Sequence, residues 1–186
     1  HRRIAIGFFI GALVLWIGAA IWFVLPIADA DARAQAADDA IRANDGKSAD
    51  SLFRSAMAIA PLPNSDYAYR AARVSLMTQA PDAQTQMLLA KAIEANPMDA
   101  NAYMTRAQHE LQKPAADQDK EQLLKDMYHA VELDPNNIEG HLRLARVYRL
   151  RGDMPSAQRE IGIARERNAQ LDPANPKRLS DEDFQK

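Results

Sequence analysis

Cysteine is absent from the 186 residues, which excludes a disulfide framework, a thiolate metal site and a thiol nucleophile. A basic excess is absent too. Twenty-three Lys and Arg stand against 25 Asp and Glu, a net charge of −2, which argues against a nucleic-acid-binding role. Glycine is scarce, with only seven residues, and Ala, Leu, Arg, Gln and Glu are plentiful, a balance that favours helix over sheet. Catalytic signatures are lacking: there is no H-E-x-x-H, no G-x-S-x-G and no glycine-rich phosphate loop. Beyond the first residue the histidines are His109, His129 and His141, none at metal-ligand spacing. No enzyme activity, cofactor or metal is therefore expected. The sequence opens at His1, so the natural start is expected upstream.

What is present first is a long apolar run. From Ile4 to Ala28 no side chain is charged, and 25 helical residues extend about 37 Å, against a hydrocarbon core of about 30 Å. Ala28-Asp29-Ala30 loosely resembles a signal-peptidase site, but a signal h-region is about 7–15 residues, shorter than this run. Residues 1–28 are thus expected to be a retained transmembrane anchor in the lipid bilayer. Arg2 and Arg3 precede it, and Asp29 and Asp31 follow it before Arg33. By the positive-inside rule the N-terminus is cytoplasmic, which in a bacterial inner membrane puts the remainder in the periplasm. At 100° per residue Gly7, Gly11 and Gly18 fall within about 40° of one another, a stripe on which a second membrane helix can pack. Chance coincidence of three glycines is the competing reading.

Beyond the anchor the sequence repeats. Lys91-Ala92-Ile93-Glu94-Ala95-Asn96-Pro97, His129-Ala130-Val131-Glu132-Leu133-Asp134-Pro135 and Asn168-Ala169-Gln170-Leu171-Asp172-Pro173 are similar helix endings, with prolines spaced by 38 residues. An earlier ending at Pro61 and Pro63 lies 34 to 36 residues before Pro97. Proline lacks the N–H and ends a helix, so it sets the boundary of each unit. Periods in this range signal stacked helical hairpins.

Residues 136–173 resemble the tetratricopeptide repeat (TPR) family. His141, Leu144, Ala145 and Tyr148 stand at the family's packing positions on the first helix, and Gly152-Asp153 supplies the turn. Pro155 suits the start of the second helix, where Ala157, Ile161 and Ala164 continue the small–large–small pattern. Three other units, about 29–63, 64–97 and 98–135, are degenerate. The first turns at Asn44-Asp45-Gly46 with Phe53 and Ala56 in phase; the second keeps Tyr69, Leu76, Leu89 and Ala92. The third keeps Tyr103, Ala107, Met127 and Ala130, has Arg106 where a large apolar residue is expected, and carries a long turn from Gln112 to Lys120. Residues 174–186 read as a C-terminal tail. The resemblance implies an all-α fold: a transmembrane helix followed by a solenoid of three to four hairpins across residues 29–173.

It implies a binding surface as well. On the family's architecture the concave face takes Asn101, Met104 and Gln108 from one unit and Glu139, Leu142, Arg146 and Arg149 from the next. Residues 29–135 carry eleven basic and seventeen acidic side chains, net −6, whereas residues 136–186 carry ten and eight, net +2. Arg146 and Arg149 either grip an anionic partner or solubilise the array. The function expected is a non-catalytic, membrane-anchored scaffold, an accessory subunit binding protein partners in a larger membrane complex. A periplasmic chaperone-like or assembly factor, in secretion, envelope or c-type cytochrome maturation, is the first alternative. An enzyme whose site lies on a missing segment or a partner is the second.

Overall fold

The computed structural model describes residues 2–172, 174–176 and 178–184, with side chains outside the description at 2–10, Asp181 and Asp183. Among the described residues the chain is all helical, as expected, and it divides into two compact units, one ending at Asn96 and the other starting at Pro97.

The first unit opens with α1 (Arg2–Ala19), a π-helical turn (Ala20–Val24) and α2 (Leu25–Arg42), which run on as one helix. Pro26 accounts for the π-turn. Proline donates no hydrogen bond, and its ring crowds the carbonyl four residues back. The Leu25 N–H reaches instead to the Ala20 carbonyl, five back, and the widened turn makes room. From Leu13 to Ile27 the large apolar side chains are exposed, Leu15 and Trp22 both at 76%. Within a few residues the surroundings invert: Ala30, Ala34 and Ala37 are buried, spaced to form one stripe of α2. No helix boundary separates residue 28 from residue 29; the change there is one of surroundings.

The alanine stripe packs against α3 (Gly46–Ile59), which presents Ala49, Phe53 and Ala56. Small side chains on both helices permit the close approach. Gly46, the first residue of α3, has the Thr78 methyl against it where a side chain would start. Next come α4 (Ser65–Met77) and α5 (Asp82–Ala95), whose Tyr67, Ala71, Val74, Leu88 and Leu89 complete this core. Polar contacts fix the register of α2. The Arg33 Nη1 donates to Ser55 Oγ at 2.6 Å, Arg70 pairs with Asp38, and the Tyr67 hydroxyl donates to Asp31. Burial, with the Asp31 carboxylate second, pushes the Tyr67 pKa up to about 12.

The second unit holds α6 (Ala100–Leu111), α7 (Lys120–Leu133), α8 (Ile138–Leu150) and α9 (Met154–Ala169), followed by a 3-10 turn at Asp181–Phe184. Helix starts repeat one device: Asp99, Asp119, Asn137 and Asp153 each accept a backbone N–H of the first turn, satisfying donors that the helix cannot. Gly152 takes φ +80° between α8 and α9, a conformation that favours glycine.

Arg106 finds its explanation here. It donates two hydrogen bonds, at 2.7 and 2.6 Å, to Asp126, which is only 1% exposed on α7. Gln122 donates a third at 2.7 Å, so the buried charge is fully engaged. An ion pair thus stands where the repeat pattern asks for an apolar contact. The long α6–α7 loop is also ordered, because Glu110 accepts the Asp119 N–H at 2.7 Å and Gln118 donates to the Leu111 and Lys113 carbonyls.

Candidate docking surface

Helix periodicity places Glu139, Leu142, Arg146 and Arg149 on one face of α8, and Met104 and Gln108 on one face of α6 with Asn101 one turn before. The two faces adjoin within the second unit. Arg143 links them, donating to Gln108 Oε1 at 2.6 Å and to Glu139 Oε1 at 2.5 and 3.2 Å. Asn137, the cap of α8, turns its amide toward the Met104 sulfur at 3.9 Å. Arg143 was not assigned to the concave face from sequence, although its spacing of four from Glu139 was a usable signal.

Asn101, Gln108, Glu139 and Arg146 are exposed; Met104, Leu142 and Arg149 are half-buried. Arg143 is neutralised by Glu139, whereas Arg146 and Arg149 make no ion pair with a described residue. From Ile138 to Ala169 there are seven arginines and four carboxylates, so this surface is basic. A hollow of about 170 Å³ lies beside α8, lined by Leu142, Ala145, Arg146, Arg149 and Ile161, with Phe184 on its wall. A larger one of about 760 Å³ runs from Asn136 and Ile138 past Leu142 to Leu171 and Leu179.

Phe184 and Leu179 belong to the segment read from sequence as a tail. Phe184 is 4% exposed and joins Ala145, Ala157, Ile161 and Ala164 in one apolar cluster, with Leu179 at its edge. Asn168 holds the segment by both ends of its amide: Nδ2 donates to the Leu179 carbonyl at 3.0 Å, and Oδ1 accepts the Leu179 N–H at 2.7 Å. The Arg165 guanidinium lies over the Phe184 ring at 5.6 Å. A lone aromatic in an otherwise polar ending was the one sequence signal for this contact. Pro173, which completes the third helix ending, lies outside the described residues.

Among the described residues no cluster of three His, Asp or Glu side chains is placed to hold a metal ion. His141 is buried, with Nε2 donating to the Pro135 carbonyl at 3.1 Å and Nδ1 against Glu160 at 2.7 Å. It ties α8 to α9, a packing role. His129 stacks edge-on against Tyr103, ring centroids 4.7 Å apart. In the apolar helix, Gly11 and Gly18 face open space; the surroundings of Gly7 lie outside the described residues. One helix near the N-terminus, within Gly11–Arg42, is long and apolar enough to cross a membrane.

No family model and no curated protein matches the chain. Solved structures do. "Crystal structure of MamA" is 14% identical, covering 91% of this chain and 94% of that one, with a TM-score of 0.66. MamA from Desulfovibrio magneticus RS-1 is 22% identical over 77% of this chain and 78% of its own, also at 0.66. YrrB, described as "a TPR protein with an unusual peptide-binding site", is 18% identical, covers 76% and 70%, and scores 0.62. At these identities each likeness is one of fold.

Proposed function

From the tetratricopeptide-repeat fold, which this chain has, we propose that the protein is a non-catalytic scaffold, held at a membrane by its first helix and binding protein partners through its second unit. The observation that carries this reading is the single helix of residues 2–42. One half exposes Leu15, Trp16 and Trp22, which water penalises and lipid does not. The other half forms the wall of a repeat. The division proposed is an anchor at 1–28, hairpins at about 29–63, 64–97, 98–135 and 136–173, and a C-terminal segment at 174–186. Flanking charge favours a cytoplasmic N-terminus and periplasmic repeats.

Partner binding is assigned to the face of Asn101, Met104, Gln108, Glu139, Leu142, Arg146 and Arg149. YrrB carries a peptide-binding site by its description, which supports such a role on this fold. Arg146 and Arg149 offer uncommitted guanidinium groups beside the apolar Leu142, suited to bidentate bonds with partner carboxylates. A second contact with the complex is assigned to Gly7, Gly11 and Gly18, which let a neighbouring membrane helix approach closely.

The test is co-purification of the full chain through mild detergent. A stoichiometric partner is expected, lost on Arg146→Ala/Arg149→Ala while helicity holds and melting temperature changes little, since substitutions away from the core usually shift stability by about 0.5 kcal/mol at most. A partner retained by the double variant at low salt overturns the assignment of the face. Only substoichiometric, exchanging clients would favour the chaperone-like alternative.

A further inference from the structure

On the α8–α9 hairpin Leu142, Ala145 and Ile161 form an apolar flank, and Leu179 and Phe184 pack against it. Among the described residues of this segment, Phe184 is buried in the cluster and Leu179 half-buried at its edge. Between them the sequence reads Ser180-Asp181-Glu182-Asp183, three acidic residues in a row; Arg146 and Arg149 line the same hollow as Phe184, and Arg165 lies over the Phe184 ring. Glu182 is exposed. Apolar packing would be served equally by neutral spacers; an acidic run closed by an aromatic complements this particular surface in both charge and shape.

We infer that residues 179–184 are an internal stand-in for a partner's segment, and that the flank of α8 and α9 takes an acidic protein segment ending in an aromatic anchor, in competition with the chain's own. This rests on the scaffold reading above and gives its partner a chemistry. The aromatic enters the site of Phe184, between Ala145 and Ile161 and under Arg165. The carboxylates meet Arg146 and Arg149, and backbone groups take up the Asn168 amide. A partner binds only when the internal segment is out, so its apparent affinity is lowered by the fraction of time the site is free.

The experiment uses the full chain in detergent micelles and a fluorescently labelled peptide of residues 178–184, Arg-Leu-Ser-Asp-Glu-Asp-Phe. Phe184→Ala is expected to bind the peptide at least about tenfold more tightly than the unaltered chain, the gain following from release of the internal competitor. Leu179→Ala, which loosens the internal segment and leaves both Asn168 and the Phe184 site intact for the peptide, should shift affinity in the same direction and guards against misfolding of the first variant. Adding Arg146→Ala/Arg149→Ala to Phe184→Ala should abolish the gain, as should a peptide with alanine for its phenylalanine. Equal binding to the unaltered chain and to both opened variants, or binding to none, overturns the inference. If the peptide fails while detergent capture of the partner still depends on Arg146 and Arg149, the scaffold reading stands and only the stand-in falls. If capture is also independent of them, both fall.

Discussion

Tyr67 shows how one side chain couples protonation to folding. Its ring sits in the first unit's core, and its hydroxyl donates to Asp31 of the long helix. Burial disfavours the phenolate, so the folded-state pKa, about 12, lies above the unfolded value of 10. A group raised in this way contributes stability that is complete below pH 10 and is lost as the pH climbs toward 12. Alkaline titration followed by circular dichroism should therefore show unfolding over that window. Tyr67→Phe, lacking the ionisable group, should be less stable at neutral pH yet flatter across it. An unchanged alkaline profile in the variant would assign the transition to other groups.

Between elements, the Arg106–Asp126 pair is the tie with the largest expected penalty on breaking. Removing Arg106 leaves Asp126, 2% exposed in its side chain, charged in a buried setting, at a cost of about 3–5 kcal/mol, whereas replacing both with apolar residues is often neutral. Urea unfolding of Arg106→Ala should show the full loss, and Arg106→Leu/Asp126→Leu most of it restored. Equal losses in the two would mean that the pair's apolar surroundings, and not its charge, set the stability. This tie also marks where sequence reading stops. The helix endings at Ala95 and Leu133 were legible because proline and an Asp or Asn cap act within a few residues. Arg106 was visible only as an exception to a pattern, since its partner lies twenty positions on and burial of Asp126 leaves no local trace. The same holds for Asn168, Leu179 and Phe184. Their contacts arise from the chain turning back on itself, and the polar residues between them concealed it. The α6 and α8 faces were assigned from the resemblance to the repeat family, and Arg143 as their link was not weighed.

For the whole molecule the decisive question is sidedness. Arg2 and Arg3 lie before the apolar run and Asp29 and Asp31 after it, so the repeats from residue 29 onward are expected on the side away from the cytoplasm. Protease added to intact spheroplasts should remove the repeats and leave a protected fragment of the N-terminal region. Complete protection until the cells are lysed would reverse the topology. No tether intervenes between the apolar run and the first repeat. Residues 2–42 form a rod about 60 Å long, with its far half clamped by Arg33, Asp31 and Asp38. A helix longer than the local hydrocarbon layer accommodates by tilting. In an anchored chain, any such lean passes directly into the clamped half of the rod. Bilayer thickness then becomes a setting for the angle at which the first unit stands over the lipid, and the π-turn before Pro26 is the place where that transmission can be softened.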